Sequence, residues 1–357
     1  MTDLIEKRTV DRGSLPLTAP SLPRLAPILA AVVSWGLAAL VGLLAGWGLV
    51  AVVIVGWILF LLALPTWSRV VEGGRRSTDR LVTAIVWSTF GVAMVPLVSV
   101  IFEVVSKGHG VLSVEFLTYS MRGVLGEGGG IYHAIMGSLI ITLWSTLISV
   151  PIGVLAAIYL VEYGKNNRLA RMITFLVDVM TGIPSIVAGL FAVALFTLIF
   201  GPGVRFGIGG AVALSVLMIP IVVRATEEML KLVPDELREA SYALGVSKWR
   251  TIVKVVLPTA IGGIVTGVTL AIARVTGETA PLLIIVGYTA SLNLNPFEGR
   301  MATLPVFIFS QVTQGGRYDA ENQARAWGAA LVLITFVMAL NILARVVGKI
   351  FSPKTGR

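Results

Sequence analysis

Long apolar runs separated by short charged segments are the main pattern of this sequence. No charged residue occurs from Leu25 to Pro65, and Gly46-Trp47-Gly48 divides this stretch into two halves, each long enough to cross a bilayer. We therefore predict a transmembrane hairpin at residues 25–66. Further apolar runs lie at 81–106, 132–163, 172–200, 208–223, 259–287 and 326–347. The pattern predicts an all-α polytopic membrane protein.

Two segments do not fit a simple series of straight spans. The run at 172–200 is interrupted by Gly182-Ile183-Pro184-Ser185. Such a break is tolerated within a membrane only where neighbouring protein or a cavity satisfies the backbone, so it points to a transport pathway. Residues 302–312 lie in the segment 288–325, which we predict to be external, and they are candidates for a re-entrant or interfacial segment.

Composition and charge placement agree with a membrane protein. Hydrophobic residues make up 56% of the 357 residues and charged residues only 13%, whereas a soluble domain is nearer a quarter charged. The net charge of +9 does not indicate nucleic acid, because most Lys and Arg fall on one predicted side of the membrane, as the positive-inside rule expects. This places both termini in the cytoplasm, with residues 1–24 as a disordered tail and 351–357 as a short tail.

The sequence offers little for metal or thiol chemistry. It has no cysteine, and its two histidines, His109 and His133, lie far apart without ligand spacing around them. We predict that both histidines are solvated loop residues and that the chain holds no metal site.

The run at 259–287 carries Arg274 and Glu278 near its middle. A charge at the centre of a bilayer costs about 2.5–3.5 kcal/mol even on a lenient insertion scale. The two residues are one helical turn apart, so a continuous helix would place them on one face, in reach of each other. Ala271, Gly267 and Gly263 continue that face, and such small residues let another helix approach closely. We therefore expect the charges to face protein or water.

The residues alone leave two interpretations of this pair open. In one, Arg274 and Glu278 are a structural ion pair that joins two helices. In the other, Arg274 is an anion site, because its planar guanidinium matches phosphate or carboxylate oxygens. Thr276 and Thr279 would then add hydroxyl donors, and Pro281 would kink the helix nearby. The local chemistry does not name the anion.

The most highly charged segment, 224–258, is predicted to be a cytoplasmic loop. Within it, residues 233–245 are typical of a short helix, with Pro234 at its first turn and Gly245 just past its end. A second helix is predicted from Ser247 to Leu257, ending at Pro258. The first helix is either a surface helix lying on its own protein or a helix that docks into a groove on a partner.

The spacing in this loop resembles the "EAA loop" of ABC importer permeases, EAA-x3-G-x9-I-x-LP. The matching positions are Glu239, Ala240, Ser241, Gly245, Val255, Leu257 and Pro258, with Ser241 and Val255 as mild departures. The stretches at 182–191 and 273–283 are similar to the phosphate-specific subgroup of that family. The resemblance covers about residues 81–350, so the hairpin at 25–66 lies outside it.

The resemblance implies a type I ABC importer transmembrane domain, with about six core helices at 81–350 added to the N-terminal hairpin. It implies a second permease subunit, a cytoplasmic ATPase dimer that binds ATP and Mg, an external phosphate-binding protein, and phosphate as the substrate. The EAA residues would contact the ATPase. Arg274 would attract phosphate in the pathway, and we expect Glu278 to orient Arg274 and weaken its grip on the anion.

The chain itself is expected to be a non-catalytic subunit of the cell membrane that carries no cofactor. No segment fits the phosphate-binding pattern G-x-x-x-x-G-K-[ST]. The alternatives are an ABC permease for another oxyanion, such as sulfate or molybdate, an ion-coupled secondary transporter, and a structural membrane anchor. A secondary transporter would need no ATPase partner.

Overall fold

The computed structural model describes residues 21–164, 167–314 and 316–351. Every regular element in these ranges is helical. The predicted tails at 1–24 and 351–357 lie outside the described residues, except for residues 21–24 and Phe351. By its internal contacts the chain divides into two compact units, residues 1–100 and 101–357.

The first unit contains the predicted hairpin. Helix α1 (Ala26–Ala45) ends at Gly46, whose φ of 68° is the left-handed conformation that glycine adopts without strain. Helix α2 (Leu49–Val71) then returns, and the Trp35 and Phe60 rings stack with centroids 5.8 Å apart. The predicted division at Gly46-Trp47-Gly48 is therefore confirmed. A turn at Glu72 and Gly73 leads into α3 (Gly74–Gly108).

The second unit holds the remaining helices. They are α4 (Val114–Thr118), α5 (Tyr132–Ile158), α6 (Arg168–Thr181), α7 (Ser185–Phe200), α8 (Gly207–Lys231), α9 (Asp235–Ala243), α10 (Lys248–Thr251), α11 (Leu257–Thr276), α12 (Ala280–Ile285), α13 (Leu304–Thr313) and α14 (Asp319–Phe351). A π-helical turn, Tyr159–Tyr163, prolongs α5, and another, Ile252–Val256, joins α10 to α11.

Seven helical segments of the described chain are long and apolar enough to cross a membrane. The predicted interruption of the run at 172–200 is confirmed, because α6 and α7 bend by 110° at the Gly182–Pro184 break. Pro184 lacks an N–H group, and the residue before a proline disfavours helical backbone, so one helix cannot pass through this point.

The core of the second unit lies between α5 and α8. Leu214, Met218 and Val222 are buried on α8, with Ile141 of α5 packed against them. Glycine permits the close approach of these helices, because a Cβ at Gly153 would lie 2.6 Å from a Val222 methyl carbon.

The stripe of small residues on α11 packs against α8, as predicted. A Cβ at Gly267 would lie 2.4 Å from the Ala225 Cβ, and one at Gly263 would lie 2.1 Å from the Met229 sulfur. Ala271 is fully buried on the same face. These contacts leave no room for larger side chains. The small residues therefore determine which face of α11 packs against α8.

The predicted helix end at Pro258 is wrong. The helix that starts at Lys248 runs without interruption to Thr276. Pro258 lies in the first turn of α11, directly after the π-helical turn Ile252–Val256. The wider π turn changes the hydrogen-bond register, so the missing N–H of the proline does not end the helix.

The prediction that His133 is a solvated loop residue is also wrong. His133 belongs to the first turn of α5 and is only 1% exposed, with its ring against the edges of Phe307 and Tyr288. Helix α13 covers it, within the segment 302–312 that the sequence marked as re-entrant or interfacial. The sequence around His133, at the start of a span and next to Tyr132, gave no indication that another helix would bury it. His109, in contrast, is exposed as predicted.

Gly189 of α7 sets the distance between α7 and α12. A Cβ at this position would lie 2.6 Å from the Pro281 Cα, which is a backbone atom that cannot move aside. We predict that Gly189→Ala lowers the unfolding free energy by about 1–3 kcal/mol, the usual cost of overpacking. The matched control is Gly91→Ala in α3, where no atom lies within 4 Å of the added carbon. Thermal melting of the purified protein measures both, and equal melting temperatures would contradict the prediction.

Candidate functional site

A cavity of about 270 Å³ lies beside the break between α6 and α7. Four helices contribute to it: α6, α7 and α11 do so at or near a helix end, and α8 does so from its middle. Its lining residues are Met180, Thr181, Ile183, Pro184, Ser185, Leu217, Pro220, Ile221, Arg274, Val275 and Glu278. We call this space the Arg274 cavity. It brings together the two stretches, 182–191 and 273–283, that carry the resemblance to the phosphate-specific subgroup.

The helix breaks around this cavity are closed by tight backbone turns. The N–H groups of Gly182 and Ile183 donate to the carbonyl oxygens of Val179 and Met180, at 3.1 and 3.3 Å. Beyond the break, α7 starts at Ser185. The exposed N–H groups of a helix N-terminus carry partial positive charge, which favours an anion at this end of α7.

The second break follows Arg274, and it overturns the predicted single helix over 259–287. Helix α11 ends at Thr276, and Gly277 and Glu278 donate from their N–H groups to the carbonyls of Arg274 and Val275, at 3.3 and 3.2 Å. Pro281 explains this end, because a helix through it would lose a hydrogen bond and force its ring against the carbonyl of Gly277.

Arg274 and Glu278 therefore do not share one face of a continuous helix. Within the described chain they form no salt bridge with each other or with another residue. Arg274 is exposed and Glu278 is half-buried, and both line the Arg274 cavity. This geometry gives no support to the structural ion pair, and it leaves the Arg274 guanidinium available to a ligand.

The structure does not bring the two predicted threonines to the cavity. Thr276 is buried, and its hydroxyl donates to the Ile272 carbonyl at 2.7 Å. Thr279 is half-buried at the start of α12 and does not line the cavity. Ser185 takes their place as a hydroxyl donor, since it lines the cavity and has no hydrogen-bond partner among the described residues. Its position directly after the helix-breaking Pro184 was a signal that sequence reasoning missed.

A second candidate site is formed by α9, which lies where the EAA resemblance was found. Arg238 joins this helix to the end of α5. Its Nη2 group donates to Glu162 at 2.9 Å, and its side chain also reaches the carbonyls of Val233 and Leu230, at 2.6 and 3.0 Å. The Glu162 side chain is 5% exposed and the Arg238 side chain 12%. A buried, hydrogen-bonded pair of this kind fixes the position of α9 against the bundle.

Two further contacts fix α9 and the turn that follows it. Lys248 donates to the Glu162 carbonyl, and its ammonium lies 4.6 Å from the centre of the Tyr163 ring. Ser241 is buried, and its hydroxyl lies 2.8 Å from the Thr251 hydroxyl. The departure from EAA at Ser241 therefore adds a hydrogen bond between α9 and α10.

The rest of the EAA positions lie on the outside. Glu239, Ala240 and Gly245 are exposed, Leu257 is half-buried, and Pro258 is exposed. Gly245 has a φ of 73°, the left-handed backbone that a glycine just past a helix end commonly adopts, so its predicted position is confirmed. Leu237 and Leu244 expose 41% and 83% of their surface on α9. A helix anchored on one side and apolar on the exposed side has the form of a docking element.

The chain is similar to a known protein family and to named relatives. Residues 149–357 match the family model "Binding-protein-dependent transport system inner membrane component". The chain is 47% identical over 276 residues to "Phosphate transport system permease protein PstA 1" of Mycobacterium tuberculosis, covering 76% of this chain and 88% of the relative. It is 40% identical to "Phosphate transport system permease protein PstA" of Yersinia pestis, covering 77% of this chain and 92% of the relative.

Solved structures show the same fold. A chain of a bacterial alginate ABC transporter matches 76% of this chain and 96% of its own length, with a TM-score of 0.54 and 15% identity. A chain of the MetNI methionine ABC transporter, in an inward-facing conformation, matches 68% of this chain and 100% of its own length, with a TM-score of 0.51 and 20% identity. The predicted fold class is thus confirmed: the chain has the fold of a type I ABC importer transmembrane domain and belongs to the family of binding-protein-dependent transport system inner membrane components.

Proposed function

We propose that this chain is the membrane permease subunit of an ATP-driven importer for inorganic phosphate. The single observation that carries the proposal is the Arg274 cavity. There an arginine that has no salt bridge within the described chain meets the Ser185 hydroxyl and the N-terminus of α7. These are donor groups suited to a tetrahedral oxyanion. The names and the identity of the relatives support phosphate over other oxyanions.

In this proposal the pathway is completed by a second permease subunit. An ATPase dimer binds ATP and Mg on the cytoplasmic side, and an external phosphate-binding protein delivers the substrate. The chain is multi-pass in the cell membrane, with both termini in the cytoplasm. Helix α9 lies on the cytoplasmic side and docks on the ATPase through its exposed apolar side chains, Leu237 and Leu244.

Arg274 acts in this mechanism as the anion contact, and Glu278 limits its grip. Both line one cavity without pairing, so a phosphate can accept hydrogen bonds from the guanidinium while the nearby carboxylate opposes very tight binding. Phosphate is therefore attracted and then released, as transport requires.

The function is tested by reconstituting the complete complex in proteoliposomes. ATP-dependent uptake of radiolabelled phosphate is expected, with competition by unlabelled phosphate and not by sulfate. Uptake driven by an ion gradient without the ATPase would contradict the proposal, and preferential uptake of sulfate would assign another oxyanion. The purified chain alone is the control, and we expect no ATP hydrolysis from it.

For Arg274 itself, we predict that Arg274→Gln lowers phosphate uptake by roughly 10–100-fold, which corresponds to the loss of a hydrogen bond between charged groups. Arg274→Lys keeps the charge without the bidentate fork and should retain partial uptake. Because Arg274 is exposed and has no ion pair among the described residues, both variants should melt like the wild type.

The double variant Arg274→Gln with Glu278→Gln separates the two interpretations of the pair. An anion site predicts a stable, assembled and inactive complex. If uptake is low in Arg274→Gln but near normal in the double variant, Arg274 has only a structural role.

Gly245 provides a test of docking through α9. A β-branched residue is strained at a φ of 73°, so Gly245→Val should disturb the end of α9 and weaken ATPase binding while the spanning helices stay folded. Gly245→Asn is the matched control, because asparagine tolerates this backbone conformation. Co-purification of the ATPase with the permease measures the effect. Wild-type ATPase stoichiometry in Gly245→Val, together with normal uptake, would show that α9 is not the docking element.

The Glu162–Arg238 pair tests whether α9 moves with α5. We predict that Glu162→Gln leaves Arg238 without its charged buried partner and costs about 3–5 kcal/mol locally. The backbone amides of α9 should then exchange hydrogen faster, and ATP hydrolysis by the full complex should become uncoupled from uptake. Asp235→Asn is the control, because it removes an exposed contact of the same arginine, with 79% of the Asp235 side chain in solvent. Equal exchange in both variants would contradict this assignment.

A further inference from the structure

The first unit contains a cavity that the transport mechanism does not use. Its volume is about 790 Å³, and it lies between α1, α2 and the N-terminal part of α3. One end is lined by two acidic and two basic side chains, those of Glu72, Asp79, Arg76 and Arg80, and the remainder mostly by apolar and aromatic ones. We call this space the hairpin cavity. Its two halves differ in chemistry, which limits the ligands that fit it.

The charged end is a built hydrogen-bonding site. The Arg80 Nε and Nη2 groups donate to the Glu72 carboxylate at 2.6 and 2.8 Å, and the Ser68 hydroxyl donates to the same carboxylate at 2.7 Å. The Glu72 side chain is only 2% exposed. Hydrogen bonds from Arg80 and then Ser68 lower the pKa of Glu72 from 4.5 to about 2, so this carboxylate stays ionised and holds Arg80 in one orientation.

Arg80 nevertheless keeps donors for a ligand. A guanidinium has about five N–H donors, and within the described chain Arg80 uses only its Nε and Nη2 groups, both on Glu72. The Nη1 group has no partner there, while Arg80 lines the cavity. Between residues 69 and 80 the sequence also places four arginines against two acids, so this end of the helices is positive overall. The chemistry fits a phosphate ester or another oxyanion.

The other part of the cavity fits a hydrocarbon chain. Trp35 of α1, Phe60 and Leu64 of α2, and Trp87 of α3 line it. These helices are long and apolar enough to cross a membrane, so this wall is next to lipid tails. Aromatic and aliphatic walls beside a positive end match an amphipathic anion and would be of no use to a free inorganic ion.

We propose that the hairpin cavity binds one anionic phospholipid, with its phosphate on the Arg76 and Arg80 end and an acyl chain along Trp35 and Trp87. The hairpin is then a lipid-binding addition to the permease core, independent of the transported anion. The Glu72–Arg80 pair positions the cation, because it holds the guanidinium at the cavity instead of in solvent.

The test is native mass spectrometry of the full-length chain in detergent with added phosphatidylglycerol. Arg76→Gln removes a cation that lines the cavity, and Thr83→Trp fills the cavity from α3. Their matched controls are the neighbouring residues Arg75→Gln and Val82→Trp, which change the same charge and bulk at exposed positions outside the lining. Melting curves identify any variant that does not fold. If one of the two cavity variants, Arg76→Gln or Thr83→Trp, does not fold, lipid binding by the other one tests the proposal.

We expect one bound phosphatidylglycerol in the wild type and in both controls, and roughly tenfold lower occupancy in each cavity variant, the usual effect of losing a charge-assisted contact or the space for an acyl chain. Equal occupancy in all four variants would mean ordinary annular lipid and would overturn the proposal. Displacement of the lipid by millimolar inorganic phosphate would overturn it in favour of a small-anion site. A several-fold rise in binding after deletion of residues 1–20 would overturn it in favour of the chain's own N-terminal segment as the occupant.

Discussion

A break in a membrane-spanning helix has to satisfy the backbone groups that it releases, and this constraint shapes the structure around Arg274. An unsatisfied N–H or carbonyl in hydrocarbon costs several kcal/mol. The two breaks, at 182–184 and 277–279, meet the constraint with local backbone hydrogen bonds that close α6 and α11. Helices α7 and α12 then start in new directions and pack together through Gly189 and Pro281. The Arg274 cavity is the space that remains where these ends meet.

Much of this architecture could be predicted from the sequence, because apolar length and helix-ending residues act locally. The hairpin turn at Gly46-Trp47-Gly48, the left-handed Gly245 and the small stripe through Gly263 and Gly267 all follow from the residues themselves. Each depends on a rule that needs no knowledge of distant parts of the chain.

The errors came from features that depend on neighbouring segments. From the sequence, Arg274 and Glu278 were expected one turn apart on a continuous helix. The helix in fact ends before Glu278, and the sequence did not show that Pro281 would end it there. Pro258 was expected to end a helix, but the π-helical turn before it absorbs the proline. His133 was assigned to solvent because nothing local shows that α13 folds over it. Ser185 was missed because its role depends on where the α6–α7 bend points.

Helix α9 combines a fixed side with a free side, and the difference is electrostatic. Its fixed side carries Arg238, whose buried guanidinium has carboxylate and carbonyl acceptors around it. Its free side exposes leucines. Apolar contacts are not directional, so these side chains can stay in contact with a partner that changes conformation. In the proposed function, α9 transmits displacement to α5 and α10 through these polar contacts, and its apolar face contacts a separate subunit.

The separation of Arg274 from Glu278 also has a consequence for transport. A bidentate ion pair would occupy the guanidinium fork, and an anion would then have to displace the carboxylate before it could bind. The helix break removes this competition and leaves both charges on one cavity. An arginine alone would hold a dianion strongly in a site of low dielectric, whereas a carboxylate nearby raises the energy of the bound state. In the proposed mechanism, the break keeps the two neighbouring charges unpaired, so that binding and release of the anion are balanced.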